Sequence, residues 1–324
     1  MNFAQFFNET LGPMGFDIVN ALGAVQRPYG DKDGWPLVLP STEFTEKTLV
    51  IVHFPDFITL RDDGTCVELE QVEKFYGENA HRVLITYWTH DLDKYYHGPM
   101  NLIRFSNHNL GTSIELRDRF DEWKHILDQH KLYAWQCLNG RICAHRQQTV
   151  DLLKTFTNGW LSLGMDIPLP HHPYNGYPGC ENDDNFIALD YIYGSTAVNI
   201  VTETQFSPQT GIVTEKTFHA WAAEQIPIII GHKGIVKHCR QMGFDMFDDL
   251  VDNSYDTIDG SARIHAAIKL NRDLIQGKID LSPYKKRLQL NREHVLWGLP
   301  DRMEREFVIQ AQALADRLLP AYTP

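Results

Sequence analysis

The 324-residue sequence contains no apolar run near the roughly 18–20 residues that cross a bilayer, no short-period repeat and no low-complexity segment. A helical membrane span, a solenoid array and a long disordered tail are therefore not expected. Residues 1–23 carry Glu9 and a Gly12-Pro13 break where a secretory signal would need a basic start and an apolar stretch. Cysteine is scarce. Cys66, Cys137, Cys143, Cys180 and Cys239 are odd in number, scattered and without CxxC spacing, which points to reduced thiols in a cytoplasmic protein and not to a disulfide frame or a zinc site. Positive charge is also in deficit: 30 Lys and Arg face 42 Asp and Glu, a formal net charge of −12, with the basic residues dispersed. A protein whose main ligand is duplex nucleic acid needs a basic surface to displace counterions, so this balance argues against that class. It leaves room for a local basic pocket.

What is present is an apolar content of 43%, enough for real cores, and a length suited to two ordinary domains. Short β-branched runs alternate with helical periodicity. Thr48-Leu-Val-Ile-Val-His53, Arg82-Val-Leu-Ile-Thr-Tyr87 and Asn101-Leu-Ile-Arg-Phe105 read as buried strands, and Phe120, Trp123, Ile126 and Leu127 share a helical face. A second unit opens at Leu132–Leu138. It continues through a helix over 147–156, a strand at Ala197–Val201, a helix capped by Thr214, and the strand Ile226-Pro-Ile-Ile-Ile-Gly231. Gly234–Met242, Ser261–Gln276, Pro283–Trp297 and Met303–Leu318 read as helices, Gly243 stopping the first of them. The loop from Ile167 to Asn185 is too long for a plain connection. This order predicts parallel sheets covered by helices on both faces. It divides the chain into an N-terminal α/β domain (1–130), a C-terminal α/β domain (131–300) and a terminal helix (301–324) crossing back to the first.

The segment richest in chemistry runs Val198-Asn-Ile-Val-Thr-Glu-Thr204, then Gly211-Ile-Val-Thr-Glu-Lys-Thr-Phe218, then Ile226–Gly231. A helix opening at Thr214 offers free N–H groups and the positive end of its dipole to a diphosphate. Lys216 adds a full charge, and Glu215 can accept from a ribose diol. On spacing alone a capped surface helix with solvated Glu and Lys suits the same residues equally well. The segment resembles the donor-binding core of the α-1,3-fucosyltransferase family, whose signature reads roughly F-E-N-S, a loop, Y-V-T-E-K, a helix and P-hydrophobic-G. Thr202-Glu203-Thr204 and Ile212-Val-Thr-Glu-Lys216 stand at the matching places. Leu138-Asn139 followed by Arg146 resembles the family's upstream S-N element and its helix-opening Arg. Arg141-Ile-Cys-Ala-His-Arg146 and Asp252-Asn-Ser-Tyr-Asp256 are similar to stretches of phage and bacterial glycosyltransferase-like proteins. The likeness spans about Leu138 to Arg263. The sequence departs from the family at Thr204, where the family has Asn, and at Ile212, where it has an aromatic.

The resemblance implies a GT-B fold, two Rossmann-like doubly wound domains facing across a cleft. It also implies inverting transfer of a sugar from a nucleoside-diphosphate donor to a glycan or small hydroxyl acceptor without a metal or other cofactor, fucose from GDP-fucose being one candidate. The donor-binding set it implies is Asn139, Arg141, Arg146, Glu203, Thr204, Thr214, Glu215 and Lys216, with Glu215 on the ribose, Arg146 and Lys216 on the diphosphate, and Glu203 at the sugar. Inversion needs a base on the face opposite the leaving nucleotide. Asp91 with His90, after the second strand, is the first choice, and Asp56, after the first, is the second. Each is also an ordinary turn or capping residue. His171-His172 and the His232/His238 pair lack a carboxylate or Cys partner at ligand spacing, and Asp183-Asp184 and Asp248-Asp249 suit solvated loops. Tyr255, Asp256 and Arg263 suit either a supporting role at the site or local capping and packing. Two other readings stay open: a phage-type transferase that glycosylates a modified DNA base, and a nucleotide-sugar-binding protein without catalysis.

Overall fold

A computed structural model describes residues 3–21, 39–54, 65–87, 96–164, 185–204, 206 and 213–319. His90, Asp91, Asp56, Cys180, His171, His172, Asp183, Asp184, Ile212 and nearly all of the 167–185 loop lie outside the described residues. The chain forms two compact units, one of residues 1–111 with 301–324 and one of residues 112–300. Each is built on its own four-stranded parallel sheet.

The first sheet has strands β1 (Asp17–Ala21), β2 (Thr48–Phe54), β3 (Val83–Tyr87) and β4 (Asn101–Arg104), in that spatial order. Val50 and Val52 of β2 and Val83 and Ile85 of β3 bury one face against Leu69, Val72 and Tyr76 of the helix Val67–Tyr76. Leu49, Ile51 and Leu84 point the other way and are also buried. Two apolar faces are what a parallel sheet requires, since crossover helices cover both sides. Elsewhere in this unit Phe6 and Phe7 of the helix Phe3–Leu11 meet Phe105 and Phe307, with ring centroids 4.8–5.9 Å apart. Phe307 belongs to the helix Leu299–Leu318, so the last helix completes the core of the unit that the first residues begin.

The second sheet has strands β5 (Tyr133–Cys137), β6 (Gly159–Leu161), β7 (Thr196–Thr202) and β8 (Ile226–Ile230), ordered β6-β5-β7-β8. β8 is an edge of this sheet, which is why Pro227 is tolerated inside it. The Ile229 N–H on that strand donates to the Tyr255 hydroxyl at 3.1 Å. The helix Glu215–Ala222 buries Phe218 and Trp221, and Trp221 stacks flat on Phe244. Among the described residues no helix is long and apolar enough to cross a membrane.

Where sequence and structure differ, short-range pattern is the reason. β1, β6 and the helices Phe3–Leu11 and Val67–Tyr76 are absent from the periodicity reading, β6 having only Gly-Trp-Leu to announce itself. The helix expected over 147–156 spans Ala144–Leu153, which puts Arg146 in its first turn. The helix expected around Phe120–Leu127 is a short α-helix, Phe120–Trp123, and a 3-10 turn, Lys124–Asp128. The last helix starts at Leu299, four residues early, running on directly from a wide π-helical turn, His294–Gly298, that follows the helix Lys285–Glu293.

Candidate functional site

From β5 the chain crosses to β6 on one side, and β7 then lies on the other side of β5. The carboxyl ends of β5 and β7 therefore flank a point where strand order reverses, the place where open α/β sheets hold ligands. Asn139, Glu203 and Gly231-His232 follow β5, β7 and β8 there. All of the residues described next belong to the second unit.

Asn139 is buried and spends its polar groups on the scaffold. Its backbone N–H donates to Ser162 Oγ at 2.9 Å, its side-chain amide to the Ser162 carbonyl at 3.0 Å, and its Oδ1 accepts from the Thr202 hydroxyl. One side chain thus ties together the ends of β5 and β7 and the residue after β6. Ser162 is a partner that no sequence motif announced.

Glu203 is fully buried, and its carboxylate sits on the start of the helix Glu215–Ala222. Oε1 accepts from the Thr214 N–H at 3.0 Å and from the Thr217 hydroxyl at 2.5 Å, while Oε2 accepts from the Thr214 hydroxyl. Thr214 is the N-cap residue, but its hydroxyl turns to Glu203 instead of capping the helix itself. The sequence reading puts a phosphate on this helix start and Glu203 on a sugar. In the structure, the anion at the Thr214 end of the helix is the protein's own carboxylate, and that carboxylate is spent on the helix. A negative group at a helix N-terminus is favourable whichever molecule supplies it. Gly231 allows the close approach: a Cβ there would lie 3.2 and 3.3 Å from Glu203 Cβ and Cγ. Glu215 and Lys216, in the first turn, are half-buried and paired with each other. Glu215 also borders a small cavity with Thr112, Glu115, Arg119, Trp123 and His219.

Arg146 is 3% exposed. Nη2 donates to the Thr202 carbonyl at 3.3 Å and Nη1 to the Arg141 carbonyl at 3.5 Å, while Nε has no partner. Among the described residues, the oxygens that accept from this buried cation are both neutral carbonyls. Arg141 itself is exposed, as is Thr204. His145 beside it donates through Nε2 to the Glu203 carbonyl at 2.9 Å and lies flat against Phe206, centroids 5.2 Å apart. Burial lowers the His145 pKa, and the neighbouring Arg146 charge works in the same direction.

Arg263, 2% exposed, stands in the first turn of the helix Ala262–Leu270, which packs on the helix Ala144–Leu153. Its guanidinium lies over Phe206, 4.6 Å from the ring centroid, and neither Nε nor Nη1 has a hydrogen-bond partner. Desolvation lowers its pKa, against the pull of Asp256 and Asp259. Asp256 is occupied at the start of the helix Ile235–Gln241, accepting from the Val236 and Lys237 N–H groups at 3.2 and 3.1 Å. Asp256 thus caps a helix, and Tyr255 holds the β8 edge. His232 is buried nearby, its Nδ1 donating to the Lys233 carbonyl at 2.9 Å, and burial lowers its pKa.

The structure thus brings Asn139, Arg146, Glu203 and Thr214 together at one end of the second sheet, with Glu215 and Lys216 on the helix that Glu203 anchors. It adds His145, Phe206 and Arg263, which motif matching alone did not single out as ligand groups. Among the described residues no three His, Cys, Asp or Glu side chains are grouped to hold a metal. The four described cysteines are free, and burial pushes Cys137, beneath Asn139, up to about 12. Comparison with protein-family models, curated proteins and solved structures finds no match to this chain.

Proposed function

We propose that the second unit binds a nucleoside-diphosphate sugar at the carboxyl ends of β5, β7 and β8, and that the protein is an inverting, metal-independent glycosyltransferase of GT-B organisation. The observation that carries this reading is Arg146: a buried cation at the strand-order reversal that, among the described residues, donates only to carbonyl oxygens and leaves Nε unpartnered. An isolated buried charge is costly unless an anion completes it, and a phosphoryl group accepts from guanidinium with geometry to match. Lys216, in the first turn of the helix Glu215–Ala222, turns from Glu215 to the phosphates, and Glu215 accepts from the ribose diol. Glu203 acts one step removed in this scheme, fixing the helix that carries both. The base that takes the acceptor's proton is Asp91 with His90, or Asp56, the candidates that follow β3 and β2 in the sequence.

The test is a titration of the full chain with GDP, UDP, CDP and ADP, followed by transfer and donor-hydrolysis assays with the sugar of the base that binds. Micromolar binding of one diphosphate, weakened at least tenfold in Arg146→Met, supports the reading. No binding of any of the four sinks it. Binding with neither transfer nor hydrolysis would leave a nucleotide-sugar-binding protein without catalysis.

A further inference from the structure

The second unit holds two buried guanidinium groups at the same end of its sheet, and the sequence motifs account for only one of them. Arg263 is as buried as Arg146 and less well satisfied. Nε and Nη1 both lack partners, and no carboxylate accepts from either. Of the two carboxylates that pull on its charge, Asp256 has its oxygens turned to the Val236 and Lys237 amides and Asp259 is paired with Lys233. Packing alone gives a poor reason to keep an arginine here, because an apolar side chain of the same length would fill the space without stranding a charge. The setting also restrains the group. Phe206 lies under the guanidinium, and His145 lies flat against Phe206, so the cation, the ring and the residue before Arg146 form one continuous contact. Arg263 and Arg146 each occupy the first turn of a helix, and those two helices pack on each other.

We propose that Arg263 is a second phosphate ligand of this site, sharing with Arg146 an anion that carries two phosphoryl groups. The proposal rests on the reading of the site as a nucleoside-diphosphate pocket and adds a residue and a selectivity to it. Two separated guanidiniums divide a pyrophosphate between them, one phosphoryl each. A single phosphate satisfies only one, leaving the other buried and unpaired. The site therefore discriminates by phosphate number, and Arg263 supplies the discrimination.

The experiment is calorimetric titration of the full chain, at low ionic strength, with sodium pyrophosphate and separately with inorganic phosphate. Wild type should bind pyrophosphate at least tenfold more tightly than phosphate. Arg263→Met, which keeps the length and apolar stem, should lose at least tenfold in pyrophosphate affinity and leave phosphate affinity within about twofold. Arg263→Lys retains the charge without the planar donor set and should fall between the two; it also serves if the Met variant does not fold. Equal pyrophosphate affinity in wild type and both variants would overturn the proposal while leaving the diphosphate pocket intact. So would parallel loss of both anions, which marks a general field and not a ligand. Failure of wild type to bind pyrophosphate or any nucleoside diphosphate would instead remove the functional reading beneath it.

Discussion

Replacing Glu203 by Ala tests the central structural assignment, that this carboxylate is a built-in anion for the helix Glu215–Ala222. The side chain is fully buried and accepts from one backbone N–H and two hydroxyls. Its loss strands the Thr214 amide in a dry interior, which costs about 1–3 kcal/mol. The Thr214 and Thr217 hydroxyls can rotate towards other acceptors, so they add roughly 1 kcal/mol each at most. Against this, a buried charge and its desolvation disappear, which returns part of the loss. The net expectation is a destabilisation of about 2–4 kcal/mol, measured as a lower urea midpoint by tryptophan fluorescence at unchanged m-value. Glu203→Gln preserves the volume and one acceptor oxygen and should lose less than Ala. A second readout isolates the mechanism: the vacated helix start becomes an anion site, so tens of millimolar phosphate should stabilise Glu203→Ala more than it stabilises wild type. A loss below about 0.5 kcal/mol, the size of an ordinary surface substitution, would refute the reasoning. A large loss with no differential phosphate effect would refute the built-in-anion part of it.

Gly231→Ala would place a Cβ 2.7 Å from Ile235 Cδ1 and 3.2–3.3 Å from Glu203. It should destabilise by about 1–3 kcal/mol, and Ile235→Val, which deletes the clashing methyl, should recover part of this in the double variant's urea midpoint. Phe307→Ala removes a 1%-exposed ring that touches Phe6, Phe7 and Phe105. The expected loss is about 3–5 kcal/mol, and an unchanged midpoint would detach the last helix from the first unit's core. Burial lowers the His232 pKa from its ordinary 6.5, so the folded protein takes up the proton less readily than the unfolded chain. Stability should therefore rise with pH through the window below 6.5 and fall as the solution is acidified towards the lowered folded value. His232→Gln should flatten that slope in urea midpoints taken between pH 5 and 7.5, His145 keeping a residual slope of the same sign.

The strand framework was readable because burial on both faces of a parallel sheet writes itself as short runs rich in Val, Ile and Leu. The segments of β2, β3, β7 and β8 carry that signature and appear where it stands. β6, with three residues and one Trp, carries none. The helix start at Thr214 was equally plain. What occupies it was not, because Glu203 lies eleven positions away and reaches Thr214 only after β7 and the helix have packed. A threonine, a glutamate and a lysine in one short motif look like a set of ligand groups. Folding sorts them: Thr214 and Glu203 satisfy each other, and Glu215 and Lys216 form a pair. Arg263 shows the converse. From sequence it suits packing as well as function, and only the orphaned nitrogens over Phe206 separate the two. The base candidates Asp56, His90 and Asp91 stand outside the described residues, so that half of the chemistry rests on sequence position alone.

Because Phe307 fills out a core begun by Phe6, Phe7 and Phe105, the first unit is sewn from segments that lie on either side of the second unit in the sequence. On the ribosome its opening residues must wait while the entire second unit is made, roughly 10–40 s at about 5–20 residues per second. Through that interval three phenylalanines have no ring to close over them. The second unit, whose residues are all made before Phe307, is thus free to finish first, and a chain released short of Phe307 would leave an aromatic patch open to chaperones or to neighbouring copies.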